Sequence, residues 1–363
     1  MNKEVITNKQ GISIAALFIM GSALVLNPGD QAKQDVWIAF IIALVISMPM
    51  LLLYGRILSL YPGMDLFDIL IEIFGKSMGK IIGLLYVWYS FHLGALVIRN
   101  FSEFIQIISL QKTPQMIVVL FLGMICIWIV KDGIEVMGRW SAFMLPFILV
   151  MIIAVLILSV TEADIDNMKR VLYEGWSPVL KSAYLLFTFP FAEAVVLTMV
   201  FSSVKNKFKP TRVFLLGAFI GGVILFFIYV RNILVLGVET NSLLFFSAYG
   251  AVTLLKIGSF FQGIEIMIAV NFLLNGIVKT AVCLYAASNG AAKIFNFESH
   301  RDLTVPIGFL MMALSGILYS NTMEMIDWAA KIYPFYAIPF QILLPLLIWI
   351  IAEMKHRRKT NIV

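Results

Sequence analysis

A chain of 363 residues in which 61% are hydrophobic and 13% charged is far too apolar for a soluble domain, and it reads as a single polytopic membrane domain over 1–363. The formal charge of +6 does not point to nucleic acid, because the basic residues gather in short flanks such as KNKFKPTR at 205–212 and KHRRK at 355–359, which face anionic lipid. Cys126 and Cys283 both fall in apolar segments and supply neither a disulfide nor a metal framework.

Apolar runs long enough to cross a bilayer fall at about 11–28, 36–55, 80–108, 115–131, 140–160, 180–203, 211–235, 258–292, 303–320 and 331–352. The N-terminus lacks the basic region, short apolar core and cleavage site of a secretory signal, so segment one is expected to be retained. That segment is odd. It contains FIMGSALVLNPGD at 18–30, and from Gly11 to Leu26 it spans only ~24 Å as an ideal helix against a hydrocarbon core of ~30 Å. A partly extended stretch around Gly21-Ser22 would supply the missing length.

Segment three follows an amphipathic connector, GMDLFDILIEIFGKSMGK at 63–80, that is expected to hold a short interfacial helix. Its outer half places His92, Leu96, Arg99, Glu103 and Gln106 on one stripe, with Arg99 and Glu103 spaced for an i,i+4 pair. With Arg231, Glu239 and Glu265 they make either an outer gate or a solvated rim of charge; His92 reads as a hydrogen-bonded bundle residue. Segment six is interrupted by TFPFAE at 188–193, where Pro190 removes a backbone donor. Segment eight follows a second amphipathic connector, NSLLFFSAYGAVTLLKIGS at 241–259, and carries Asn271, Asn275 and Lys279 on one side.

Segment one therefore matches six, and segment three matches eight. The expected architecture is an all-α integral membrane protein of ten transmembrane helices in a 5+5 inverted repeat, one half over about 11–160 and the other over about 180–352. Helices one and six are broken. Lysines and arginines concentrate on the flanks that share a side with the N-terminus, so both termini are expected to be cytoplasmic. Breaks at membrane depth are tolerated where they line a cavity. Backbone N–H groups at Met20–Ala23 would suit a carboxylate, and carbonyls near Phe187–Phe189 an ammonium, so a zwitterionic amino acid fits. The alternative is that Gly21 and Ser22 simply allow close helix packing. On the first reading, alanine at Gly21 would preserve packing while crowding the ligand.

QGISIAALFIMGSALVLNP at 10–28, RNFSEF at 99–104, KTP at 112–114, EGWSPVLKSA at 174–183, TFPFAEAV at 188–195, FFQGIEIM at 260–267 and LYAASNGAAKIF at 284–295 occur in this order along the chain. In this the chain resembles the B subunits of GerA-type spore germinant receptors, in the amino acid, polyamine and organocation transporter superfamily. The resemblance implies a LeuT/APC-like fold in the spore inner membrane, a small-molecule germinant as ligand, and an A subunit and a C lipoprotein as partners. It also implies a ligand site built from Gly21, Ser22 and Ala23, from Leu93, from Thr188, Pro190, Phe191 and Glu193, and from Asn275 and Lys279. Glu193 is then a ligand sensor or titrating group, or else a carboxyl capping the break. Lys279 stands in for a coupling cation, or else forms a buried ion pair with Glu193. Arg99, Glu103 and Glu265 form the expected outer gate. No P-loop, zincin or nucleophile-elbow motif is present, so neither enzyme chemistry nor a cofactor is expected. A proton-coupled amino acid permease is the alternative function.

Overall fold

The computed structural model describes residues 5–201, 209–255 and 264–360, without the side chains of 264 and 358–360. Lys3, Lys205, Lys207, Lys256 and the opening of FFQGIEIM at 260–263 lie outside the described residues, as do the side chains of Arg358 and Lys359.

Helix α1 (Asn8–Met20) starts at a capping box: Gln10 N donates to Thr7 Oγ1 (3.3 Å) and Thr7 N to Gln10 Oε1 (2.7 Å). It stops at Met20, and a 3-10 turn over Ser22–Leu24 follows Gly21. After a second 3-10 stretch (Asp30–Asp35) come α2 (Val36–Leu60), α3 (Leu66–Phe74), α4 (Lys76–Ile108), α5 (Gln115–Asp132) and α6 (Ile134–Ser159). Helix α7 (Trp176–Leu186) runs into a π-turn (Phe187–Phe191) and a 3-10 stretch (Ala192–Met199). Then follow α8 (Pro210–Leu243), α9 (Ser247–Thr253), α10 (Ile264–Phe295), α11 (His300–Ile317), α12 (Thr322–Lys331) and α13 (Tyr333–Ile338), with a π-turn (Pro339–Leu343) leading to α14 (Leu344–Thr360).

Among the described residues eight helices are long and apolar enough to span a membrane, or nine if α11 and α12, bent 103° apart, count as one span. The 13-residue α1 falls below that length. The stretch following α11 departs from expectation: instead of a single span over 303–320 and another from 331, the chain turns sharply at Ser320 and adds α12 across the bundle. Asn321 caps this helix by accepting from Glu324 N (2.9 Å), which explains why it starts there.

Burial sorts the helices into layers. In the most apolar stretch of the span Trp176–Met199, 89% of the residues are buried, and Ile14–Met20 is wholly so, whereas in that of Ile134–Glu162 only 28% are, and Phe143, Phe147 and Val150 turn outward. The interrupted stretches therefore form the centre, and α5 and α6 present an apolar face of the kind lipid covers. Helices α1 and α8 touch through small residues: a Cβ at Gly217 would lie 2.4 Å from the Cβ of Ala15.

At the α3 end of α4, Asp65 caps α3 by accepting from Asp68 N (3.1 Å). The same fully buried carboxylate accepts from Asn289 Nδ2 (2.8 Å) and Lys293 Nζ (2.5 Å) on α10, and Asn289 also donates to Met199 O (3.3 Å). Burial pushes the Asp65 carboxyl up in pKa, and Lys293 opposes that shift.

Candidate functional site

The centre is organised around one ion pair. Lys279 of α10 donates to Glu193 Oε2 at 2.5 Å, with both side chains essentially inaccessible to solvent. Its ammonium also lies over the rings of Phe18 (5.2 Å) and Phe189 (4.9 Å). The second carboxylate oxygen of Glu193 accepts from Tyr333 OH. Tyr333 OH is 3.2 Å from Tyr89 OH, and Gln341 Nε2 donates to Tyr89 OH and to Thr188 O, each at 2.9 Å. A buried charge pair is stable only when its remaining lone pairs and protons are satisfied, and this chain of hydroxyls and amide does that for Glu193.

Gly21 sits under the lysine. A Cβ there would lie 2.4 Å from Lys279 Cδ and 2.9 Å from Phe18 O. The idea that alanine at this position preserves packing is therefore corrected: the lysine stem already fills that space. Gly21 N–H is bonded to Leu17 O (2.8 Å), completing α1. At the other interruption, the Thr188 carbonyl is held by Gln341, and the Thr188 hydroxyl donates to Leu185 O (3.0 Å). Phe189 leaves helical geometry (φ −140°, ψ 109°) immediately before Pro190.

Between these interruptions lies a small cavity. Ser22 and Leu26 line it from the first stretch, Leu93, Leu96, Val97 and Asn100 from α4, and Phe189 and Glu193 from the second stretch. Tyr319, Met325, Trp328, Ala329 and Tyr333 complete the wall from the α11–α13 region. Its surface is thus mostly aliphatic and aromatic, with a few polar groups; Ser22 Oγ finds no partner among the described residues.

Of the residues expected at the site, Ser22, Leu93 and Glu193 line this cavity, and Gly21 and Lys279 adjoin it through the lysine contact. The others point elsewhere. Ala23 O accepts from Tyr229 OH (2.8 Å), Phe191 packs edge-on against Phe40, and Asn275 donates to Asn271 O (2.9 Å). Arg99 and Glu103 form a buried 2.6 Å pair, and Thr322 Oγ1 at the start of α12 donates to Glu103 (3.0 Å). Glu265 does not join them: it is exposed on α10, with Tyr249 OH at 3.5 Å. His92 stacks on Trp88 and meets Trp328 and Tyr336 edge-on.

Trp328, Tyr333 and Gln341 escaped the sequence reading. The signal was IDWAAKIYPFYAIPFQ at 326–341, whose aromatic residues and prolines are denser than a lipid-facing span requires.

The family model described as spore germination protein matches residues 5–323. Spore germination protein KB of Bacillus subtilis (strain 168) is 27% identical over 363 residues, covering 99% of this chain and 97% of that protein. Spore germination protein A2 of the same organism is 24% identical over 360 residues, covering 97% and 96%. Among solved structures, Mhp1, a nucleobase-cation-symport-1 family transporter in a closed conformation with bromovinylhydantoin bound, superposes with a TM-score of 0.69 at 14% identity, covering 98% of this chain and 91% of that one. MhsT in complex with L-phenylalanine gives 0.62 at 14% identity, covering 94% and 97%. The fold is accordingly that of an all-helical, multi-span, LeuT-like transporter, and, with the family model matched along most of its length, the chain belongs to the spore germination protein family.

Proposed function

We propose that this protein is the germinant-binding B subunit of a spore germination receptor, recognising a small amino-acid-like nutrient in the cavity between the first and sixth spans. The observation that carries the proposal is the placement of the cavity: it is apolar on most sides and bounded by Ser22 on one interrupted stretch and Glu193 on the other. A few directional polar groups in an aliphatic and aromatic chamber suit a small zwitterion with an apolar side chain. Because Lys279 already neutralises Glu193, a ligand need not bring a net charge. In this reading α1 with its 3-10 turn is a tenth span, spans one and six are the broken helices of a 5+5 inverted repeat, and both termini are cytoplasmic in the spore inner membrane. Ligand binding then biases contacts with an A subunit and a C lipoprotein. The family likeness supports a receptor over an enzyme.

The test uses the purified chain in liposomes, measuring both binding and net flux of candidate amino acids. Saturable binding without flux is expected. Saturable uptake driven by a proton gradient would replace the receptor with a permease, and absence of binding to any amino acid would overturn the ligand class.

A further inference from the structure

An amine entering the central cavity finds its obvious partners already engaged. The Phe187 carbonyl accepts from Ala192 N, and the Thr188 carbonyl from Gln341 Nε2 (2.9 Å). One oxygen of Glu193 is held by the Lys279 ammonium and the other by Tyr333 OH. The carbonyls of Phe187 and Thr188, where an ammonium was expected to sit, are therefore committed within the protein.

What the cavity does offer is aromatic surface. Phe189, Tyr333, Trp328 and Tyr319 all line it. They form an unbroken run, with ring centroids 6.3 Å apart from Phe189 to Tyr333, 5.6 Å from Tyr333 to Trp328 and 5.9 Å from Trp328 to Tyr319. Successive planes turn by 81°, 49° and 55°, so the run bends around the space it borders and does not stack flat. Its members are held from behind: Tyr333 by its bond to Glu193, and Trp328 by ring contacts with His92 and Tyr336.

The protein already uses such surface for a cation next door, where the Lys279 ammonium lies 4.9 Å from the centre of the Phe189 ring. A ring face attracts a positive charge through its quadrupole, most strongly for tryptophan and where water is excluded, whereas an aliphatic wall gives a buried charge nothing in return. Ser22 Oγ, buried without a partner among the described residues, can accept one N–H of the same group.

On the reading of the central cavity as the ligand site, we propose that Phe189, Tyr333, Trp328 and Tyr319 form its ammonium subsite. The ligand is then an amine whose positive charge rests on ring faces and not on a carboxylate, and Trp328 is the residue that selects for it.

The experiment measures equilibrium binding of radiolabelled methylammonium to the purified chain in nanodiscs, at constant ionic strength. Saturable binding is expected, displaced by unlabelled methylammonium and not by methanol or sodium. Trp328 is then replaced site-specifically by mono-, di- and trifluorotryptophan, which nearly keep the ring's shape while draining negative charge from its face. Affinity should fall stepwise along the series, whereas a ring that only fills space would bind equally in every member. Trp328→Leu should weaken binding by about twofold to thirtyfold, the scale of one cation–π contact. The fluorine series decides the matter even if Trp328→Leu does not fold. No saturable binding, displacement by methanol, or a flat fluorine series overturns the proposal. Methylammonium bound as expected while no amino acid binds keeps the subsite and removes the amino-acid-like germinant. Amino acids bound with no dependence on the fluorine series keep the germinant site and remove the ammonium subsite.

Discussion

Replacing Glu193 by Gln keeps the shape of the side chain but strands the Lys279 ammonium where it has no exposure at all. Breaking one side of a buried pair costs about 3–5 kcal/mol, because the remaining charge loses its compensation. The rings of Phe18 and Phe189 stay in place and retain roughly 0.5–2 kcal/mol each of cation–π attraction, so the expected loss lies near the lower end of that range. Lys279→Met should cost a similar amount by leaving the carboxylate with Tyr333 alone. The double variant Glu193→Gln/Lys279→Met removes both charges at nearly constant volume and should recover most of the loss. The assay is unfolding of all four proteins in one nanodisc composition, followed by tryptophan fluorescence. A coupling energy of about 2 kcal/mol or more is expected. Additive effects, or a Glu193→Gln protein as stable as wild type, would refute the view that the pair holds the centre together.

Gly21→Ala should abolish or strongly weaken germination response by displacing the Lys279 stem; a wild-type dose-response of Gly21→Ala spores, at normal protein level, would contradict this. Trp328→Ala opens one wall of the proposed ligand cavity and should reduce affinity for apolar amino acids by about tenfold, measured by equilibrium binding; unchanged affinity would remove Trp328 from the site. Asp65→Asn keeps an N-cap for α3 and loses only the charge, so it should cost about 1–2 kcal/mol; Asp65→Ala should cost about 1 kcal/mol more in the same unfolding assay. Equal losses for the two would mean that the cap contributes nothing.

Apolar length carried most of the fold. The runs beginning near 36, 80, 115 and 211 correspond to α2, α4, α5 and α8, because about twenty consecutive apolar residues have few alternatives to a membrane span. Gly21 and Pro190 were legible as local signals, since each changes what its own backbone can do; regular α-helix stops at Met20 and Leu186. The partners of side chains were legible only in part: the Arg99–Glu103 pair follows from spacing, and the Glu193–Lys279 pair was one of two readings of the lysine. Asn275 shares a face with Lys279 by spacing, yet it bonds to Asn271 of its own helix, and spacing along one helix cannot say which neighbour packs there. Trp328 and Tyr333 were missed for a related reason: the 103° bend that carries them over the cavity depends on packing, whereas their local sequence reads as the end of a span.

The Asp65 carboxylate joins partners 224 and 228 residues further along the chain, and one of those partners also holds Met199. No relative rotation of α3 against α10 can proceed while these bonds stand. Since Asp65 is wholly buried, they part at tolerable cost only when water arrives to replace them. At this end of the bundle, parting α3 from α10 and wetting the Asp65 carboxylate are therefore a single event.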